Sequence, residues 1–123
     1  MKNQFIFLDD YRKPEDVRRV ILPPCDWSIV KNFNEFCQAI EERYQELSSL
    51  PSVISFDFDL SEEHYGGDYS KNKTGLDCAK WLVDFCLDRN LKFPVYYVHS
   101  LNPEGSEKII ELIESQSFPS HNE

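Results

Sequence analysis

Val53-Ile54-Ser55-Phe56-Asp57-Phe58-Asp59-Leu60 is the stretch whose reading decides the fold. Residues 53–58 are mainly apolar, which predicts a strand buried on both faces. Asp57 and Asp59 stand at its carboxyl end and share one strand parity, so both point the same way if the extended conformation continues. Two other segments repeat the design. QFIFL at 4–8 runs into Asp9-Asp10, and PVYYV at 94–98 runs into His99-Ser100. WSIVK at 27–31 reads as a fourth strand.

Helical patterns lie between these runs. Phe33, Phe36, Cys37, Ile40, Tyr44 and Leu47 fall on one stripe, with Asn32 or Asn34 as cap and Glu41, Glu42, Arg43 and Glu46 toward water. Thr74 opens a second helix, with Asp77 as its capping-box partner. Ala79, Leu82, Val83 and Cys86 form its buried stripe, and Asn90 is its stop. Asn102-Pro103 opens a third helix, expected to run to about Ser117, with Ile109, Ile110, Leu112 and Ile113 apolar. Pro14-Glu15-Asp16 predicts a short helix through Val20, which Pro23-Pro24 ends. Residues 61–74 have no periodicity, and an irregular segment of this length within a compact domain is often functional. Strands alternating with helices predict an α/β fold, a parallel sheet with helices on both faces. The 123 residues amount to one domain over 1–123, with 117–123 a frayed tail.

Composition narrows the function. Lys plus Arg is 13 against 22 Asp plus Glu, a net charge of −9. That balance disfavours extended nucleic-acid binding, although a single phosphate, a nucleotide or a strand end stays possible. No apolar run reaches the roughly 20 residues of a membrane span, and the N-terminus lacks the features of a secretory signal. The expectation is a cytoplasmic protein. Cys25, Cys37, Cys78 and Cys86 form no C-x-x-C and no zinc-spaced cluster, so they read as reduced thiols acting mostly as small buried hydrophobes. There is no P-loop and no nucleophile elbow.

Ligands of open parallel sheets bind beyond the carboxyl ends of the strands. Three such ends carry Asp9-Asp10, Asp57 with Asp59, and His99-Ser100. One acid at a strand end is ordinary. Three polar ends on one edge can converge on a hard cation, Mg²⁺ or Mn²⁺, held by Asp9, Asp10, Asp57 and Asp59. His99 titrates near neutrality and is a candidate acid or base. Arg12, Lys71 and Lys73 are candidate phosphate neutralisers, with Ser100 and His64 as further substrate contacts. Gly66-Gly67 would give the 61–74 segment the freedom of a lid.

The acidic pair after the first strand, Asp57 in the third and the hydroxyl of Ser100 after the fourth resemble a response-regulator receiver domain. That resemblance implies a flavodoxin-like three-layer sandwich with sheet order 2-1-3-4. The receiver's fifth strand, its lysine and its fifth helix have no counterpart here. A closer resemblance is to the cyclic-phosphate processing receiver-like family, carried by FLDD-x-R-x-P (7–14), VKNFNEF (30–36), ISFDFDL (54–60), TGLDCAKWLVDFCLD (74–88) and VHSLNPEG (98–105). It implies action on cyclic phosphate ends or nucleotides in RNA-repair or phage-conflict settings.

Three functions follow. The first is metal-dependent opening of a cyclic phosphodiester, with Asp57 and His99 catalytic. The second is a module that binds or sequesters a nucleotide or phosphate without turnover. The third is a receiver or pseudo-receiver signalling through Asp57 and protein contacts.

Overall fold

A computed structural model describes residues 3–18, 20–60 and 73–119. The element order is β1 (Phe5–Leu8), a single 3-10 turn (Pro14–Asp16), β2 (Ser28–Val30), α1 (Phe33–Leu47), β3 (Val53–Phe56), α2 (Gly75–Arg89), β4 (Val95–Val98) and α3 (Pro103–Glu114). The four strands form one parallel sheet in the order β2-β1-β3-β4. This is the receiver-like, flavodoxin-type arrangement, without a fifth strand among the described residues. Register pairs Phe7 with Ser55, and Ser55 with Tyr97, so the strand ends come level at Leu8, Phe56 and Val98.

The helix signals act as physical chemistry dictates. Asn32 accepts from the Glu35 amide, and Asn102 accepts from the Gly105 amide. Thr74 and Asp77 close a capping box. Asn90 ends α2 in the left-handed conformation, which Asn tolerates better than most residues. α3 stops at Glu114, three residues before the expected end.

Strand alternation splits the sheet into two unequal faces. Ile6, Leu8, Ile54 and Phe56 join a single core with Phe36 and Ile40 of α1, Leu82 and Cys86 of α2, and Ile109 and Ile113 of α3. The three helices among the described residues therefore share one face, where helices on both had been expected. The Pro14 segment is the reason. It makes one 3-10 turn and leaves it at Val17, so no helix through Val20 forms to cover Phe5 and Phe7. Trp27 covers them instead, edge-on to both rings at 6.2 and 6.1 Å.

Arg43 also departs from expectation. It is 7% exposed rather than solvated. Its Nε donates to the Leu50 carbonyl at 3.0 Å, which ties α1 to the loop entering β3. Leu47, expected on the apolar stripe of α1, is exposed, as is Ile110 among the apolar residues of α3. All four cysteines are free, with Cys78 and Cys86 buried and Cys25 and Cys37 half-buried. No helix among the described residues is long and apolar enough to cross a membrane.

Candidate functional site

β1, β3 and β4 each hand their next residue to the same edge. The Asp9 amide donates to the Val30 carbonyl, the Asp57 amide to the Leu8 carbonyl and the His99 amide to the Phe56 carbonyl. The sheet ladder thus continues one step past the strands and fixes all three side chains relative to one another. Asp9, Asp57 and His99 are 1%, 6% and 1% exposed. One ligand atom from each lies within 4.8 Å of those of the other two.

Asp9 is fully engaged. Its Oδ1 accepts from the amides of Tyr11 and Arg12, both at 2.8 Å. Its Oδ2 accepts from Arg12 Nε at 3.2 Å and contacts His99 Nε2 at 3.0 Å. The opposite imidazole nitrogen, Nδ1, lies 2.6 Å from Ser55 Oγ. Phe7 stacks on the imidazole at 4.3 Å and 8°, which sets its plane. Arg12 then spans the gap between strands. Its Nη2 donates to the His99 carbonyl at 3.2 Å and lies 3.5 Å from Asp57 Oδ1.

These contacts separate the two carboxyl groups. Burial alone would raise Asp9, but the hydrogen bonds from His99 and from the Arg12 and Tyr11 amides, with the Arg12 charge, hold it below its ordinary value. Asp57 has fewer donors. Burial and the charge of Asp9 push it up to about 7, against the opposing pull of the Ser100 hydroxyl, Arg12 and the Phe58 amide. Burial lowers His99, and Arg12 lowers it further, while Asp9 works in the opposite direction. A neutral imidazole beside an ionised Asp9 is the consistent state.

Asp9, Asp10, Tyr11, Arg12, Asp57, Asp59, Ser100, Leu101 and Asn102 line a cavity of about 460 Å³ at this edge. A cavity of about 360 Å³ at the amino edge has Lys92 as its one titratable lining residue. Among the described residues, the acidic cavity is the one that gathers Asp9 and Asp57 beside the Arg12 guanidinium. Asp10 and Asp59 line it but stay outside the three-residue cluster. Asp59 is exposed and accepts from Asn102 Nδ2 at 3.2 Å. Ser100 is buried, and its Oγ accepts from the Asn102 amide at 3.1 Å.

Other expected residues stand apart. Lys73 is exposed, does not line the cavity, and sits over the Phe33 ring at 5.5 Å. His64, Lys71 and most of the 61–74 segment lie outside the described residues. His99, expected as an acid or base, faces Asp9 and Ser55 rather than the cavity. Ser55 was missed altogether. Its only signal was a lone hydroxyl within the apolar VISF run, two residues before Asp57.

The donor set fits a divalent cation. Two carboxylates and one imidazole converge, and the burial and the Asp9 charge that together raise Asp57 are both penalties on its anion that a cation would offset. A parallel sheet in receiver order with an acidic pocket beyond its strand ends defines a receiver-class α/β domain. A family model for the cyclic-phosphate processing receiver domain matches residues 4–115, and the chain belongs to that family. Comparison with curated proteins and with solved structures gave no significant match.

Proposed function

We propose that this domain processes a cyclic phosphate, on a nucleotide or an RNA end, with a divalent cation of the Mg²⁺ or Mn²⁺ kind in its acidic pocket. The observation that carries the reading is the meeting of Asp9, Asp57 and the Arg12 guanidinium at one cavity. Anionic and cationic groups side by side suit a substrate that brings both a phosphate and its counter-cation. A bound cation would polarise the phosphoryl group and acidify an attacking water.

The protein's own groups divide the remaining work. Asp57, Asp9 and His99 would hold the cation, with Asp10 and Asp59 enriching the mouth in negative charge. Arg12 would turn from the carboxylates to a non-bridging phosphate oxygen, since a guanidinium binds phosphate in the same forked geometry. Ser100 would orient Asp57 through its hydroxyl. The family membership supports the substrate class.

The test is phosphorus NMR of a nucleoside 2′,3′-cyclic monophosphate with protein and Mg²⁺ or Mn²⁺, alongside Asp57→Asn. Conversion to one monoester by the wild type and not by the variant is the expected result. Equal conversion by both proteins would refute it. A shifted and broadened cyclic-phosphate signal without product would replace catalysis with a binding or sequestering module.

A further inference from the structure

Ser55, His99 and Asp9 form a continuous chain of contacts, 2.6 Å and 3.0 Å long, that resembles a nucleophilic triad but cannot be one. Ser55 is completely buried, so no substrate reaches its hydroxyl. The serine must act through the imidazole.

Two tautomers satisfy the same geometry. In one, the Ser55 hydroxyl donates to Nδ1 and the Nε2–H donates to Asp9. In the other, Nδ1–H donates to Ser55 Oγ and Nε2 presents its lone pair to Asp9 Oδ2. The second places a lone pair against a carboxylate and needs positive charge between them. Asp57, the third member of the cluster, has a ligand atom within 4.8 Å of those of Asp9 and His99. A hydroxyl serves both states because it donates and accepts equally well. Alanine serves neither.

We propose that His99 is the nitrogen ligand of a cation site completed by Asp9 and Asp57, and that Ser55 is the positioning residue that lets His99 exchange tautomers when the cation arrives. The exchange is balanced: one proton leaves Nε2 and one is taken up at Nδ1. An imidazole donor shifts preference away from Mg²⁺, which favours all-oxygen ligands, toward Mn²⁺, Fe²⁺, Co²⁺ or Zn²⁺. The Phe7 stack keeps the ring plane constant in both states. This rests on the cation pocket of the proposed function and specifies its ligands and its metal class.

Zn²⁺ is the diamagnetic probe, and ¹⁵N NMR of the imidazole nitrogens is the readout, with His99→Gln assigning the signals. Without metal, the proton should lie on Nε2. With Zn²⁺ it should lie on Nδ1. Calorimetric titration should show Zn²⁺ binding at least about tenfold tighter than Mg²⁺. Ser55→Ala should weaken Zn²⁺ binding by about 10–100-fold, as loss of a group orienting a ligand does elsewhere, while Ser55→Thr keeps the hydroxyl and the affinity. An Nε2 proton retained in the Zn²⁺-loaded protein would overturn the proposal, as would Zn²⁺ no tighter than Mg²⁺. Wild-type Zn²⁺ affinity in Ser55→Ala would do the same. No readout uses a cyclic phosphate. Tautomer exchange without turnover would therefore sink the enzymatic reading alone, and turnover with Mg²⁺ and an unchanged Nε2–H would sink this one alone.

Discussion

Arg12 closes an ion pair with Asp57, Nη2 to Oδ1 at 3.5 Å, across the carboxyl ends of β1 and β3. The same guanidinium reaches Asp9 Oδ2 through Nε at 3.2 Å. Three residues separate Arg12 from β1, and the turn between them is fixed by the two amides that bind Asp9 Oδ1. One short loop thus brings the counter-ion for two buried carboxyl groups.

Arg12→Gln should therefore destabilise the domain. Removing one partner leaves the carboxylates uncompensated, at a cost of about 3 kcal/mol, the low end for a buried pair because the Arg12 side chain is 18% exposed. Urea denaturation at neutral pH measures it. A loss within experimental error would mean that another cation neutralises the pocket.

The pH dependence of Asp57→Asn has a definite sign. A carboxyl raised from 3.8 to about 7 contributes stability that is fully present below the unfolded value and is lost as pH rises toward 7. The variant has no charge to bury. It should match the wild type near pH 4 and be more stable at pH 8. The upper bound of the gain is about 4 kcal/mol, and relaxation of the site reduces it to about 1–2 kcal/mol. Thermal melts of both proteins across pH 4–8 test this. Saturating divalent cation should stabilise the wild type at pH 8 and leave Asp57→Asn much less affected.

Gly75→Ala should reverse the usual sign of a glycine-to-alanine change in a helix. Alanine would normally favour the helix by about 1 kcal/mol. Here the new Cβ would lie 1.7 Å from the Asp57 carbonyl oxygen, which is backbone and cannot turn aside. The expected result is a loss of more than about 3 kcal/mol, with Asp57 displaced. A melting temperature at or above that of the wild type would contradict the close packing of α2 on the end of β3.

The thiols should label in a fixed order. Burial pushes Cys37 and Cys86 up to about 12, and Cys78 higher still, so none offers thiolate near neutrality. Cys25 is raised less, by slight burial and by Asp26. A disulfide reagent at pH 8 should modify Cys25 first, with Cys78 and Cys86 reacting only on unfolding. Mass spectrometry of partly labelled protein decides the order.

Much of the fold was legible because its signals are local. Apolar runs marked β1, β3 and β4, and caps at Asn32, Thr74 and Asn102 marked the helix starts. The family motifs added the sheet order. The site was legible as far as strand ends allow: Asp9, Asp57, His99 and Ser100 meet at one edge because parallel strands must end there. Arg43 was misread because its partner, the Leu50 carbonyl, lies beyond the helix. The covering of Phe7 was misread because a proline-led turn can end after three residues, and no periodicity records that.

By itself, the sequence determined an α/β domain with acids and a histidine at its strand ends, since hydrophobic period and capping chemistry act over a few residues. Only the tertiary structure decided that all three helices share one face and that Arg12 answers both Asp9 and Asp57. It alone joined Ser55 to His99 across 44 residues and His99 to Asp9 across 90. The physical reason is that a hydrogen bond or an ion pair depends on distances of about 3 Å, and at such separations those distances are set by which strands lie side by side.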